Sequence, residues 1–161
     1  MSGDPTVRQR LQQPPLILNL SMPIKSISAN DTVGKIGAQG EATYVDVRTV
    51  AEFTDGRPKG RAINVPIEFH HPKTKEAYSN DAFTLVMQHT LDAATPLIVG
   101  ADAGPRAGRA ADTLASAGFS EIAILEEGFA AWKDAGLPVT GDNRDGVNYA
   151  SLLTPARRAK K

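Results

Sequence analysis

The sequence predicts an α/β protein built on an open parallel sheet of about five strands, with helices on both faces. Short aliphatic and β-branched segments recur along the chain, and stretches with the period of an amphipathic helix separate them. Because parallel strands need long crossover connections, this alternation favours a parallel sheet. The predicted strands cover residues 24–27, 42–47, 63–67, 96–100 and 122–125.

The helices are predicted from caps and from apolar periodicity. Ser28, Asn30 or Asp31 is placed to cap a helix that ends near Ile36, and Gly118 is placed to end a later one. The other helices are predicted around 52–53 and over 81–89, 108–117 and 129–135, with Phe53, Phe83, Val86, Met87, Ala111, Leu114, Ala115 and Trp132 as their buried side chains.

Residues 24–140 are predicted to form the domain, between two polar ends. Residues 1–13 have no periodicity that could bury a face and are predicted to be a disordered arm. The proline-flanked apolar residues of 14–23 indicate an extended strap on the domain. The alternative role for this strap is a docking peptide or a dimer contact. Residues 141–161, which end in four cations within six residues, are predicted to be a solvated basic tail, with a weak contact to an acidic partner as the alternative.

Composition excludes several classes of function. Lysine and arginine total 18, as do aspartate and glutamate, so no net charge draws the protein to nucleic acid or to a membrane. The chain has no cysteine, which removes disulfides, thiolate catalysis and cysteine-ligated metals. No signal sequence or membrane span is recognised, and we therefore expect a cytoplasmic protein.

Two polar segments are predicted to be irregular. Residues 56–60 are expected to form a turn, and the segment from His70 and His71 to Asn80 is expected to be a solvated loop. Adjacent histidines lack the further ligands on converging elements that a metal site requires. The sequence therefore predicts no metal site and no cofactor.

The strand at 96–100 leads into a loop of small residues and then directly into a helix. This geometry gathers backbone N–H groups at a helix N-terminus, where an anion is favoured. The loop residues are Ala101, Asp102, Ala103, Gly104, Pro105, Arg106 and Ala107.

Three blocks of the chain, in order, resemble the rhodanese family. The loop ADAGPRA at 101–107 is similar to the family pattern C-x-x-G-x-R-S. Upstream, YVDVRTVAEF at 44–53 and AINVP at 62–66 resemble D-V-R-x-x-x-E-F and G-A-x-N-x-P. Downstream, AGF at 117–119 and LEEGFAAWKDAGLPV at 125–139 resemble the family's closing segments. The resemblance implies a rhodanese-like sheet, with Asp46 and Arg48 bracing loops near the active site.

The departure from the family pattern changes the expected chemistry. Ala101 falls on the position of the nucleophilic cysteine, and Ala107 on that of the following serine or threonine. Family members transfer sulfur through a cysteine persulfide, and a methyl group can neither ionise nor accept sulfur. As written, the sequence predicts that this route is closed.

The rest of the loop retains features that favour an anion. Arg106 and Arg109 add positive charge to the helix N-terminus, whereas Pro105 lacks an N–H group and Asp102 competes as an internal anion. We expect the partner to be a small anion, such as sulfate, phosphate or a thiosulfate-like species, or an unidentified protein.

Two functional hypotheses follow. The first is a catalytically inactive rhodanese-like domain that acts as a binding or regulatory module, with a residual anion pocket at 101–107. The alternative is a thiosulfate sulfurtransferase in which a natural cysteine at position 101 has been replaced by design. The hydroxyl missing at Ala107 favours natural divergence, because a deliberate inactivation needs only one substitution.

Overall fold

A five-stranded parallel sheet forms the centre of the computed structural model, which describes residues 24–102 and 104–160. The strands of the chain are β1 (Lys25–Ile27), β2 (Thr43–Asp46), β3 (Arg57–Pro58), β4 (Ala62–Asn64), β5 (Glu68–His70), β6 (Ala77–Ser79), β7 (Leu97–Gly100), β8 (Ile122–Leu125) and β9 (Val139–Thr140). The central sheet has the order β1-β8-β7-β2-β4, and all its neighbouring pairs are parallel. The predicted fold class is therefore confirmed.

Helices cover both faces of the sheet. They are α1 (Ala29–Ile36), α2 (Val50–Asp55), α3 (Phe83–Thr90), α4 (Arg106–Ser116), α5 (Gly128–Asp134) and α6 (Tyr149–Lys160). One apolar cluster joins α3, α4 and α6 to the sheet, and a second joins α1 and α5 to its other face. Ser28 caps α1 by accepting a hydrogen bond from the Asp31 backbone N–H at 3.1 Å, and Trp132 is fully buried, as predicted.

Helix α4 differs from the prediction in its start and its buried face. It begins at Arg106 rather than at Gly108, and Ala115 is exposed. The buried face consists of Ala107, Ala110, Ala111 and Leu114, which follow the i, i+3, i+4, i+7 pattern. Because this pattern starts at the loop itself, Ala107 becomes part of the core.

Two short antiparallel pairs were not predicted. Residues 56–60 contain β3, which pairs with β9, and the segment after Ile67 forms the β5–β6 hairpin instead of a solvated loop. His70 lies in β5, where its Nε2 is 2.7 Å from Glu68 Oε2. The β3 strand depends on a partner strand more than 80 residues away, which no local pattern reveals.

The C-terminal segment is not a solvated tail over residues 149–160. These residues form α6, which packs against α3 and buries Tyr149, Leu152 and Ala156 in the core. The three side chains are spaced i, i+3 and i+7, so they share one helical face while Arg157, Arg158 and Lys160 face solvent. The predicted arm and strap at 1–23 lie outside the described residues. Among the helices described, none is long and apolar enough to cross a membrane.

If α6 is part of the core, Leu152→Ala will destabilise the protein by about 2–5 kcal/mol, because it removes buried methyl groups and leaves a cavity. Urea unfolding followed by circular dichroism measures this change. Arg158→Ala, on the exposed face of the same helix, is the matched control and should change the stability by less than about 0.5 kcal/mol. Equal effects of the two substitutions would contradict the packing of α6.

Candidate functional site

The loop at 101–107 lies at the carboxyl edge of the central sheet, between β7 and α4. Gly100 at the end of β7 is in register with Asp46 at the end of β2, so the loop and the Asp46–Arg48 segment leave the sheet side by side. This edge is where ligands bind in open α/β sheets. Of the seven predicted loop residues, Ala103 lies outside the described part of the chain.

Ala101 is fully buried at the base of the loop. It belongs to the apolar cluster on the α3, α4 and α6 side, and its carbonyl accepts a hydrogen bond from the Phe129 N–H at 2.8 Å. The Ala101 methyl group therefore lies in the core and has no exposed surface. Among the described residues of the loop, Asp102, Gly104 and Pro105 are the exposed ones.

Gly128, at the start of α5, packs closely against the backbone of the 101–107 loop. Its φ of 69° lies in the left-handed region, and a Cβ atom there would be 2.6 Å from both the Ala101 carbonyl oxygen and the Asp102 carbonyl carbon. Such contacts are shorter than van der Waals distances, so only glycine fits. The turn that begins α5 thus packs backbone against backbone on the loop.

Arg106 is held by two carboxylates. Its side chain is 8% exposed and donates to both oxygens of Glu52, from Nη1 to Oε1 at 2.8 Å and from Nη2 to Oε2 at 3.0 Å. Nη2 also donates to Oδ2 of Asp102 at 2.8 Å. Because the arginine is buried, these charge-assisted bonds compensate for the water it has lost.

The structure therefore brings Asp102 and Arg106 together, as the sequence suggested. The Asp102 side chain is 55% exposed, and Arg106 is its hydrogen-bond partner among the described residues. Its carboxylate therefore lies directly beside the Arg106 guanidinium. Asp102 is thus placed as an internal anion of the loop.

Glu52 also belongs to the capping box of α2. Its Oε1 accepts from the Thr49 backbone N–H at 3.1 Å, and its own backbone N–H donates to Thr49 Oγ1 at 3.3 Å. The Arg106 guanidinium is the main reason that the pKa of Glu52 falls from its ordinary value of 4.5 to about 2, and the Thr49 bonds lower it further. Glu52 therefore remains ionised at neutral pH.

Arg109 does not face an open anion site. Its Nη2 is 2.6 Å from Oε1 of Glu68, whose other oxygen bonds to His70. Glu68 is a buried carboxylate on β5, so this pair fastens α4 to the β5–β6 hairpin. Both arginines that the sequence assigned to anion binding are thus neutralised by carboxylates of the same chain.

Asp46 and Arg48 form a buried ion pair. Arg48 donates from Nε at 2.9 Å and from Nη2 at 2.7 Å to the two Asp46 oxygens, and Nη2 also donates to the Gly56 carbonyl at 2.8 Å. Burial raises the pKa of Asp46, and the Arg48 bonds offset part of that rise. The Arg48 guanidinium lies 4.6 Å from the centroid of the Phe129 ring. The backbone N–H of Phe129 donates to the Ala101 carbonyl. The pair thus supports the loop indirectly, through Phe129.

Sequence reasoning missed three residues that shape this site, namely Glu52, Glu68 and Gly128. The pattern Thr49-x-x-Glu52 is a capping-box signal that could have drawn attention to Glu52. No local signal could have paired Glu68 with Arg109, because 41 residues separate them. No group of three or more potential metal ligands occurs within residues 24–102 and 104–160.

The Glu52–Arg106 pair predicts a specific acid sensitivity. Because the pKa of Glu52 is lowered by folding, its contribution to stability is complete above pH 4.5 and disappears as the pH falls to about 2. Between pH 5 and pH 2.5, the denaturant concentration at the unfolding midpoint should therefore change less for Glu52→Gln than for the original protein. Glu41→Gln, at an exposed carboxylate, is the control. An unchanged pH dependence in Glu52→Gln would contradict the pair.

Comparison with known proteins agrees with this architecture. Residues 29–135 match the model of the rhodanese-like domain. The chain is 26% identical to thiosulfate sulfurtransferase 18 of Arabidopsis thaliana over 120 residues, which cover 74% of this chain and 87% of the relative. It is 30% identical to rhodanese-like domain-containing protein 17 of the same plant over 111 residues, covering 68% and 69%.

A solved structure has the same fold. The solution structure of the rhodanese-like domain from the Alr3790 protein of Anabaena sp. superposes with a TM-score of 0.60 at 23% identity, covering 74% of this chain and 81% of that one. The family model matches about two thirds of the 161 residues, and its boundaries enclose the β7–α4 loop, Gly128, Glu52 and Glu68. The chain belongs to the rhodanese-like domain family.

Proposed function

We propose that this rhodanese-like domain does not transfer sulfur through a cysteine persulfide and acts instead as a binding or regulatory module. The observation that carries the proposal is the loop at 101–107. An alanine stands at its buried base, and the arginine behind it is bonded to two carboxylates of the chain itself.

The chemistry of sulfur transfer explains why the alanine matters. A thiolate attacks the outer sulfur of thiosulfate, a new S–S bond forms, and sulfite leaves with the electron pair of the broken bond. None of the 161 residues is a cysteine, so the chain offers no thiolate for this step. A loop that no longer accepts sulfur can keep its shape, because its contacts to Phe129 and Gly128 are made by backbone atoms.

The names of some relatives favour the alternative hypothesis. Two similar Arabidopsis thaliana proteins are called thiosulfate sulfurtransferases 18 and 16, the second being 34% identical over 95 residues. If cysteine is the natural residue at position 101, this chain is an inactivated form of such an enzyme. The codon for residue 101 in the native gene distinguishes the two hypotheses.

We expect the protein to transfer no sulfur from thiosulfate to cyanide above the uncatalysed rate, because it lacks a thiol. The measurement is thiocyanate formation at several protein concentrations. Turnover proportional to protein concentration in a metal-free and thiol-free preparation would overturn the proposal.

A gain-of-function series tests whether the scaffold is still that of the family. Ala101→Cys should form a persulfide only in part of the molecules, because the side chain lies in the core and Asp102 is already bonded to the Arg106 guanidinium. Adding Ala107→Ser and Asp102→Gly should increase the yield, measured as addition of one sulfur atom by mass spectrometry after thiosulfate. Ala115→Cys, exposed on α4, is the thiol control and should form none. Failure of the triple variant would show that this loop differs from the family's.

The residual anion pocket is the second part of the proposal, and we expect it to be neutralised by Asp102. Added phosphate should bind weakly to the original protein and more tightly to Asp102→Asn, because the substitution removes one of the two carboxylates bonded to Arg106 and leaves only Glu52. Amide chemical shifts at Gly104 and Gly108 during a phosphate titration measure this. Asp112→Asn, exposed on α4, should behave as the original protein. Tighter binding by the original protein would mean that Asp102 does not occupy the pocket in solution.

A further inference from the structure

A second surface stands apart from the loop. A groove of about 740 Å³ lies between the β5–β6 hairpin, the start of α3 and the last turn of α6. We call it the α6 groove. Its walls include Phe69, Tyr78, Asp81, Leu85, Arg157 and Lys160, and no described residue of the 101–107 loop lines it.

One wall of the α6 groove is aromatic. The Tyr78 ring is 56% exposed, and its centroid lies 5.7 Å from that of Phe69, which in turn lies 6.2 Å from that of Tyr149. The three rings form a continuous series from solvent to the core. An exposed ring that is backed by packed rings offers apolar contact area at a small cost in side-chain freedom.

The floor of the groove is rigid. The Asn80 side chain is buried and donates to the Pro66 carbonyl at 2.8 Å and to the Tyr149 hydroxyl at 2.9 Å. Its Oδ1 accepts the Ala82 backbone N–H at 3.0 Å. These bonds fix the end of β6 and the approach to α3, so a ligand in the groove would meet a preformed surface.

The opposite wall is cationic. Arg157 and Lys160 are three residues apart on α6, which places both on one side of the helix. Within the described residues, each arginine from Arg48 to Arg144 has a hydrogen bond or an ion pair, whereas Arg157 and Arg158 have neither. Asp81 is the one acidic residue among those lining the groove, so two cations face a single carboxylate.

We propose that the α6 groove binds an acidic peptide segment of a partner protein, one that carries an aromatic or aliphatic side chain. The apolar side chain would pack against Tyr78 and Phe69, and the carboxylates would face Arg157 and Lys160. Tyr78, Ser79 and Asp81 are exposed together with both cations, so the groove is open along its length. Small metabolites are usually bound in more enclosed pockets, and an open groove suits an extended chain.

The hairpin adds a backbone surface for such a chain. β6 is exposed at all three residues, and in the described structure it pairs only with β5. Its other edge can accept hydrogen bonds from an extended peptide. A second copy of this protein is a poorer occupant, because a two-fold contact would place the cations of both grooves together. The proposal is independent of sulfur chemistry, so its failure would leave the expectation of no sulfur transfer intact.

The test is a titration of the 161-residue protein with a short synthetic peptide in which glutamate alternates with leucine and phenylalanine. Binding is followed by backbone amide chemical shifts. We expect saturable shifts at residues 78–82 and 157–160. Two control peptides replace either the glutamates with lysine or the apolar residues with serine, and both should bind at least about tenfold more weakly.

Protein variants separate the two walls. Tyr78→Ser and the double variant Arg157→Glu/Lys160→Glu change exposed side chains, and each should weaken peptide binding at least about tenfold. Arg158→Glu reverses a cation on the same helix outside the groove and should bind as the original protein does.

Four results would overturn the proposal. Equal binding of the lysine peptide would show that the groove does not select for acidic residues. If Arg158→Glu weakened binding as much as Arg157→Glu/Lys160→Glu does, the cations would act only by general electrostatic attraction. Shifts at residues 78–82 that depend on protein concentration without peptide would assign the groove to a second copy of this chain. Saturable shifts confined to residues outside the groove would likewise contradict it.

Discussion

The buried guanidinium of Arg106 sets the arrangement of the candidate site. It lies at the first turn of α4, where a positive charge opposes the helix dipole, and it is almost out of contact with water. Such a group is stable only with anions beside it, and Glu52 and Asp102 supply them. The consequence is that α2, the loop and α4 are joined by one charge network. Replacing either carboxylate alters the environment of the others.

The fold was predictable where the residues that define a helix or strand are close together in the sequence. Strands β7 and β8 are short apolar runs, and α1, α3 and α5 show their buried faces within two turns, as Trp132 illustrates. Helix α6 was missed because its terminal cations indicate a solvated segment, and its three buried residues become meaningful only when α3 is placed beside them. Strands β3 and β9 were missed for a related reason, since each has only two residues and stabilises the other.

The position of the 101–107 loop and one of its contacts were predictable. Small residues after a buried strand located the loop, and the spacing of Asp102 and Arg106 at i and i+4 allowed their pairing. Glu52 lies 54 residues before Arg106, and Glu68 lies 41 residues before Arg109, so both pairs depend on the assembled sheet. These distant carboxylates decide whether the arginines face an anion site or an internal partner.

The backbone contact at Gly128 separates the shape of the loop from its chemistry. Since the contact is made to the carbonyl groups of Ala101 and Asp102, it imposes no requirement on the side chain at position 101. The path of the backbone from β7 into α4 therefore depends on contacts between main-chain atoms, at Phe129 and at Gly128, and these contacts do not involve the Ala101 methyl group.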